Sequence, residues 1–189
     1  MHILIVTAHP STQGFTHKIA AEYAAVSKFL GHEVEILDLY RTEIKQEYLS
    51  FEDKTSQLDT PDRRIMQEKI VWADELVFVH PLWWGGVPAI MKNWLDVNLS
   101  SHFAYQYTKS GPQGLLKGKQ GRVFITGGGS WLLYLCLLFP FFIVWGLMVL
   151  FFCGIKVKSL TYFGSKPTKT PEQLEGWLRK VRRIAGRNR

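Results

Sequence analysis

Buried strands alternate with amphipathic helices along the chain. Continuous apolar runs at residues 3–6 and 76–79 predict strands covered on both faces, and residues 122–126 and 157–163 predict two more. The polar–apolar alternation of residues 32–39 predicts an edge strand with one exposed face. Strands alternating with helices predict a parallel, doubly wound α/β sheet. In such a sheet, ligands bind at the carboxyl ends of the strands.

Capping residues mark the ends of the helices between these strands. Apolar residues recur at helical spacing from Phe15 onward, and Gly31 follows them as a stop signal. Thr60 and Pro61 have the chemistry of an N-cap followed by a first helical residue. Thr170 opens a capping box before the last helix. The loops at the carboxyl ends of the strands, where a ligand would bind, are residues 7–16, 80–88 and 126–134.

Composition and charge narrow the classes of function. The chain has 189 residues, of which 47% are hydrophobic, and this excludes a disordered or low-complexity protein. Two cysteines, Cys136 and Cys153, exclude a disulfide scaffold and offer no zinc-site spacing. Residues 166–189 carry a net charge of +6 out of +7, which favours a basic terminal helix over a nucleic-acid surface. We therefore expect one cytoplasmic domain over residues 1–189, without a metal or a nucleic-acid partner.

The loop after the first strand, residues 8–16, has the chemistry of a phosphate site. A helix N-terminus presents free N–H groups and the positive end of the helix dipole. Ser11, Thr12 and Thr16 add hydroxyl groups, and His9 adds a donor. Ordinary helix capping accounts for any single hydroxyl equally well, so both interpretations stay open. The loop lacks a P-loop lysine and a G-x-G-x-x-G fingerprint, which argues against a triphosphatase and a Rossmann site.

Two further loops at strand ends combine aromatic residues with glycine. Residues 80–88 contain Trp83 and Trp84, two large side chains that are costly to leave uncovered. A planar aromatic ligand would cover them, and packing in the core or in a dimer contact is the alternative. Residues 126–130 contain three glycines, which let backbone N–H groups approach a ligand closely. Together the three loops suit a phosphate, an aromatic plane and its polar rim, as in a flavin nucleotide.

Several motifs, in the same order, resemble those of the NAD(P)H:quinone oxidoreductases, a family that includes DT-diaphorase. The main motif is HPLWWGGVPAIMKNWLD at residues 80–96. The supporting motifs are residues 8–16, FAYQY at 103–107, GLLKGK at 114–119, TGGGS at 126–130 and FCG at 152–154. The resemblance covers nearly the whole chain. It implies a flavodoxin-like fold, with a five-stranded parallel sheet of order 2-1-3-4-5 and helices on both faces, as a single flavin-binding domain.

The resemblance also implies an activity. Members of the family bind FAD or FMN, act as homodimers and transfer two electrons as a hydride from NAD(P)H, through the flavin, to a quinone in a ping-pong cycle. We therefore expect an NAD(P)H dehydrogenase (quinone). A flavin-binding ancillary subunit of a membrane potassium-efflux system is the alternative, because related proteins serve that role. A flavodoxin-type electron carrier is disfavoured, because carriers are usually acidic and this chain is basic.

The same resemblance assigns the cofactor to the three loops. Which flavin and which nicotinamide nucleotide are used does not follow from the residues, nor does the physiological acceptor. The implied flavin-binding residues are His9, Phe15 and Thr16 on the phosphate and ribityl side, Leu82, Trp83, Trp84 and Gly85 along the isoalloxazine, and Thr126, Gly127, Gly128 and Gly129 at its polar edge.

Three tyrosines complete the site that the resemblance implies. Tyr134 would lie close to the reactive ring, where its hydroxyl group would stabilise developing charge as the catalytic residue. Tyr105 and Tyr107 would cover the quinone or nicotinamide position, in many members from the other subunit. Better-known members carry a histidine six residues after the tyrosine that matches Tyr134. Pro140 stands at that position here, so the resemblance does not identify the usual proton partner.

Residues 131–155 form a run of 25 residues without a charge. Such a length usually indicates a transmembrane helix, but Pro140 and two glycines interrupt the run and the last strand follows at once. We expect a buried helix that also contacts a second subunit. Peripheral contact with a membrane is the alternative, since Lys156, Lys158 and the basic tail suit anionic lipid, and a true span is the least favoured interpretation.

Overall fold

Strands and helices alternate as predicted in the computed structural model, which describes residues 1–49, 60–130, 132 and 142–187. The strands are β1 (His2–Thr7), β2 (Glu33–Asp38), β3 (Glu75–Pro81), β4 (Tyr105–Thr108), β5 (Gly111–Gly114), β6 (Gln120–Thr126) and β7 (Lys156–Phe163). The α-helices are α1 (Phe15–Phe29), α2 (Pro61–Trp72), α3 (Ala89–Asn98) and α4 (Pro171–Ala185). A π-helix (Val144–Phe151) and a short 3₁₀-helix (Lys166–Thr168) flank β7.

The main sheet has five parallel strands in the order β2-β1-β3-β6-β7. This confirms the predicted order 2-1-3-4-5, because β4 and β5 form a separate antiparallel hairpin. The strand order reverses at β1, which has β2 on one side and β3 on the other. The loops that follow β1, β3 and β6 are therefore neighbours at the carboxyl ends of adjacent strands, beside the switch point.

Helices cover both faces of this sheet. Residues alternate along β1, so that Leu4 and Val6 pack with α2, α3 and the π-helix, while Ile3 and Ile5 pack with α1 and α4. All four side chains are fully buried, as a strand between two helical layers requires. The continuous apolar runs seen in the sequence are thus the consequence of a sheet with no exposed face at its centre.

The helix N-termini differ in how they are capped. Thr60 accepts a hydrogen bond from the backbone N–H of Arg63, and Thr170 forms the predicted capping box with Gln173. In contrast, α1 begins after Gly14 with no side-chain cap and no acidic residue in its first turn. The N-terminus of α1 therefore keeps free N–H groups and an uncompensated dipole at the carboxyl edge of the sheet.

The hairpin and the π-helix pack together at the opposite, amino-terminal edge of the sheet. The backbone N–H of Leu116 donates to the carbonyl of Cys153, 2.9 Å away, just before β7 begins. A side chain at Gly114 would overlap the backbone of Gly154, so this contact requires glycine. The hairpin was not predicted from the sequence.

The described part of the charge-free run exposes one of its faces. Trp145 and Leu150 of the π-helix are buried against the sheet, whereas Val144, Leu147 and Phe151 are exposed on this chain. Within residues 1–49, 60–130 and 142–187, no helix has the length and hydropathy that a membrane span requires. The rest of the run, including Pro140, lies outside the described residues.

Candidate active site

The three loops chosen from the sequence lie side by side. The backbone N–H of Ala8 donates to the carbonyl of Val79, 3.2 Å away, and that of Leu82 donates to the carbonyl of Thr126, 2.7 Å away. These bonds extend the β1–β3 and β3–β6 pairing by one residue beyond the strands. Each loop therefore begins beside its neighbour. The expectation that the loops meet at the carboxyl edge is confirmed.

The first loop brings His9 against the start of α1. The backbone N–H of Ser11 lies 3.1 Å from Nδ1 of His9, and a Cβ atom at position 14 would lie 2.5 Å from the same nitrogen. Only glycine therefore lets the imidazole ring lie over the helix N-terminus. Behind it, Oγ1 of Thr16 is buried and has no hydrogen-bond partner among the described residues. A buried hydroxyl without a partner is costly, which favours a ligand oxygen at this point.

Phe15 has a different environment. Its side chain is buried and packs edge-on against Trp177 of α4, with ring centroids 5.8 Å apart. The structure therefore places the phenyl ring in the core between α1 and α4. Any contact of Phe15 with a phosphate would come from its backbone N–H in the first turn of the helix.

Basic side chains surround the first loop. Arg41 donates to the carbonyl groups of His9, 3.2 Å away, and Pro10, 2.6 Å away. Burial lowers the pKa of His9, and the charges of His17, Lys166 and Arg41 lower it further, against a hydrogen bond to the Ser11 carbonyl that raises it. Arg41 is itself paired with Asp38, 2.7 Å away, so the positive groups of the described residues that are left for an anion are the helix N-terminus and Lys166.

The second loop is a tight turn that displays two indole rings. Trp83 and Gly86 exchange backbone hydrogen bonds of 3.1 and 2.9 Å around Trp84 and Gly85. The φ angles of Trp84 and Gly85 are 52° and 75°, so both adopt the left-handed conformation of a type I′ turn. That conformation is uncommon for a bulky residue such as tryptophan.

The same turn leaves its aromatic surface open. Trp84 is fully exposed and Trp83 is 40% exposed. Neither ring packs in the core of this chain, so the core interpretation is wrong, and a dimer contact stays an alternative. The Trp83 ring lies 6.2 Å from the ring of His9, which joins the first and second loops. Leu82, one residue earlier, is partly buried against the core.

The third loop is fixed by the end of β7. The backbone N–H groups of Ser165 and Lys166 donate to the carbonyls of Gly129 and Gly127, over 2.8 and 3.1 Å. The Gly127 N–H in turn donates to the Phe163 carbonyl, 3.0 Å away. Thr126 is buried at the end of β6, and Gly128 is exposed. The glycine segment therefore has a defined backbone conformation beside Lys166.

Tyr105 and Tyr107 lie elsewhere. Their rings are 5.9 Å apart and contact Phe152 at 4.9 and 6.4 Å, on the hairpin at the amino edge of the sheet. Burial raises the pKa of Tyr105, with smaller contributions from Tyr107 and Cys153. Strands rise about 3.3 Å per residue, so β7 separates this pair from the three loops by roughly 20 Å. Within one chain, the structure does not bring the tyrosine pair to the loops.

Tyr134 lies outside the described residues, as does Pro140. Arg41 and Lys166 beside the first loop were missed. The predicted strand order could have indicated both residues, because β2 and β7 end at the same edge of the sheet as the three loops.

A family model described as flavodoxin-like fold matches residues 1–184. The chain belongs to this flavodoxin-like family. The predicted family and fold are thereby confirmed over nearly the whole chain.

Three similar proteins carry oxidoreductase names. An uncharacterized NAD(P)H oxidoreductase of Haemophilus influenzae is 38% identical over 69% of this chain, and the match spans 66% of that relative, just under two thirds. An FMN-dependent NADH:quinone oxidoreductase 3 of Halalkalibacterium halodurans is 30% identical over 67% of this chain and 69% of its own length. The solved NAD(P)H:quinone oxidoreductase of Methanothermobacter marburgensis is 26% identical over 100% of this chain and 99% of that one, with a TM-score of 0.87.

Proposed function

We propose that this chain is a flavin-dependent NAD(P)H:quinone oxidoreductase with one flavin-binding domain. The observation that carries the proposal is the exposed Trp83–Trp84 turn beside the uncapped N-terminus of α1, where the Thr16 hydroxyl has no partner within the described part of the chain. An aromatic plane and a phosphate group on one ligand would satisfy both features. The names of the relatives support the same activity.

The residues present fit a flavin nucleotide. Its phosphate would bind the free N–H groups of α1 and the Thr16 hydroxyl, with Lys166 and His9 beside it. Leu82, Trp83, Trp84 and Gly85 would line the isoalloxazine, and Thr126 with Gly127, Gly128 and Gly129 would meet its polar edge. When bound, the flavin supplies hydride acceptance from NAD(P)H and two-electron donation to the acceptor. FMN has the support of the relative named FMN-dependent, and FAD remains the alternative cofactor.

The remaining roles require groups beyond the three loops. We assign Tyr134 as the catalytic residue, whose hydroxyl would stabilise charge that develops beside the ring. Tyr105 and Tyr107 would bind the quinone or nicotinamide from a second copy of the chain, because their own loops lie at the far edge of the sheet. The proposal therefore includes a homodimer, and a cytoplasmic enzyme is its simplest setting. The relatives named above give no support to the potassium-efflux alternative.

The direct test is an absorbance spectrum of the purified protein, followed by heat release and chromatography of any chromophore. We expect flavin absorbance bands and steady NAD(P)H-dependent turnover of menadione without a partner protein. A Thr16→Val variant should bind flavin more weakly, whereas Thr108→Val on the hairpin should not. A colourless protein that also fails to bind added FMN or FAD would overturn the proposal.

A further inference from the structure

Arg41 joins the end of β2 to the first loop of the site. Its guanidinium group donates a hydrogen bond to the carboxylate of Asp38, 2.7 Å away. The same group donates to the backbone carbonyls of His9, 3.2 Å away, and Pro10, 2.6 Å away. The Asp38 carboxylate also accepts from the backbone N–H of Tyr40, over 3.0 Å, which fixes it relative to β2. We call Arg41 and Asp38 together the clamp.

The clamp determines where the peptide groups of the first loop point. In a trans peptide, the C=O group and the N–H group of the next residue point in opposite directions. Because the Pro10 carbonyl faces Arg41, the Ser11 N–H faces away from it, and this N–H lies 3.1 Å from Nδ1 of His9. The His9–Pro10 peptide has no N–H group, so its carbonyl is the one group that needs a partner, and Arg41 supplies it. The clamp therefore orients two successive peptides and, through Ser11, the His9 ring.

The orientation of the His9 ring matters because the ring lies over the N-terminus of α1. A Cβ atom at position 14 would lie 2.5 Å from Nδ1 of His9, so the ring and the helix start are in close contact. Nε2 of His17, on α1, lies 3.2 Å from the His9 carbonyl, which links the helix to the same peptide. A site whose backbone is already ordered binds its ligand more tightly, because less conformational entropy is lost on binding.

Arg41 is bonded to the protein in a way that limits its use as a ligand group. Its two terminal nitrogen atoms donate to one carboxylate and two carbonyls, and the Asp38 charge offsets that of the guanidinium. We propose that Arg41 is a positioning residue for the flavin phosphate, which acts by fixing the first loop and not by its own charge. The inference rests on the proposed function, since the phosphate in question is that of the flavin.

The first test compares the binding of FMN and of riboflavin, which lacks the phosphate group, to the full-length apoprotein. Arg41→Lys keeps the positive charge, but a single ammonium group cannot reach all three acceptors with the geometry of a planar guanidinium. We expect the FMN dissociation constant to rise about tenfold, because the hydrogen bonds that order the loop are lost. The riboflavin dissociation constant should stay close to that of the wild type. An equal rise for both ligands would place the effect on the whole site and overturn the proposal.

Asp38→Asn separates position from charge, because the two explanations predict changes of opposite sign. Removal of the carboxylate makes the potential around the first loop more positive, so a phosphate held by the charge of Arg41 would bind more tightly. A phosphate that depends on the clamp would bind more weakly, because Arg41 loses its ionic partner. We expect the FMN dissociation constant to rise about fivefold. A lower dissociation constant for Asp38→Asn, or a wild-type value for Arg41→Lys, would overturn the proposal.

Arg182 offers a matched control on another surface. Its side chain is 35% exposed, as is that of Arg41, and it pairs with Glu22 and Glu175 to join α4 to α1. Arg182→Lys should leave the FMN dissociation constant unchanged. A readout without ligand is the exchange of the Ser11 backbone N–H in the apoprotein, measured by NMR. Exchange should become faster in Arg41→Lys and not in Arg182→Lys, because the loop opens more readily without the clamp.

The two proposals fail in different ways. FMN binding that does not respond to Arg41→Lys would overturn the positioning role alone. A wild-type protein that binds neither FMN nor FAD would overturn the proposed function. The clamp is then judged on inorganic phosphate, and binding to the wild type that is weakened in Arg41→Lys would support it. Absence of phosphate binding in the wild type would overturn the clamp as well.

Discussion

The hydroxyl group of Tyr162 donates a hydrogen bond to the backbone carbonyl of Gly129, 3.0 Å away. The same side chain fills the space that a Cβ atom at Gly127 or Gly164 would need. One residue at the end of β7 thus fixes both ends of the glycine segment after β6. Because a ligand gains affinity from a preorganised backbone, the Tyr162 side chain acts on the site without belonging to the three loops.

Tyr162→Phe should weaken flavin binding while leaving the fold intact. The variant keeps the ring that packs beside Gly127 and loses the hydrogen bond to Gly129. A lost hydrogen bond costs about 1 kcal/mol, which corresponds to roughly a fivefold rise in the flavin dissociation constant. Fluorescence titration of the apoprotein with FMN and FAD measures it. Tyr48→Phe, at an exposed position, is the control, and an unchanged dissociation constant would show that the glycine segment holds its conformation alone.

Trp84→Ala should separate ligand binding from stability. The side chain is fully exposed and adopts a left-handed backbone conformation, so its removal should not lower the unfolding midpoint of the apoprotein. The flavin would lose an aromatic partner, and its dissociation constant should rise about tenfold. Trp84→Gly should raise it equally, while making the apoprotein slightly more stable because glycine suits the turn. An unchanged affinity and flavin spectrum would contradict the placement of the isoalloxazine on this turn.

The placement of the three loops was predictable because it depends on strands with a strong signal. The runs around Leu4, Phe78 and Phe124 are apolar on both faces, and a doubly wound sheet then brings the loops that follow them together. The loop that carries Trp83 and Trp84 was also predictable, because its signal comes from neighbouring residues in the sequence. Each of these features is encoded within about ten consecutive residues.

Other features depend on contacts between distant segments. The hairpin strand Gly111–Gly114 reads GPQG, which has no apolar alternation, and it is held by Gly154 and Cys153 across the sheet edge. Arg41 and Lys166 meet near His9 only because β2 and β7 end at the same edge as β1. The exposed side of the π-helix was not distinguishable in a run where every residue is uncharged. Sequence patterns predict local conformation and burial well, but they predict contacts between distant segments poorly.

A buried histidine should make the stability of the protein depend on pH. His80 stacks on Trp145, with ring centroids 5.6 Å apart, and its Nδ1 lies 2.8 Å from the Pro81 carbonyl. Burial lowers the pKa of His80 to about 4, against the hydrogen bond to Pro81, which raises it. The unfolded chain, with a histidine pKa near 6.5, therefore takes up the proton first as pH falls. The contribution of His80 to the free energy of unfolding is therefore fully present above about pH 6.5. It falls by about 3 kcal/mol as the pH is lowered to about 4.

Urea unfolding at a series of pH values measures this loss. His80→Asn keeps a donor near the Pro81 carbonyl and removes the titrating ring, so its unfolding free energy should fall less steeply between pH 6.5 and 4. His102→Asn, at an exposed turn, should follow the wild-type profile. Identical profiles for the wild type and His80→Asn would show that His80 is charged in the folded protein or reaches water before unfolding.

Tyr105→Ala should impair the use of the acceptor without affecting the cofactor. The tyrosine begins β4 of the hairpin and its ring contacts Tyr107 and Phe152, and none of the described ring pairs joins it to the loops after β1, β3 and β6. We expect the KM for a quinone to rise about tenfold because an aromatic face is lost, with flavin content unchanged. Tyr105→Phe should keep a KM near that of the wild type, because it keeps the ring. Loss of flavin as the main effect would contradict the assignment.

A mixed dimer decides which subunit supplies Tyr105. One subunit carries Tyr105→Ala and the other carries Trp84→Ala, with different affinity tags so that only the heterodimer is purified. If the hairpin serves the partner's site, one site of the pair contains both natural residues, and the heterodimer should show the wild-type KM for the quinone at half the wild-type number of sites. If the hairpin serves its own chain, no site contains both residues and the KM stays high. The distance of about 20 Å along β7 favours the first result, because side chains at opposite edges of one sheet do not meet within the same chain.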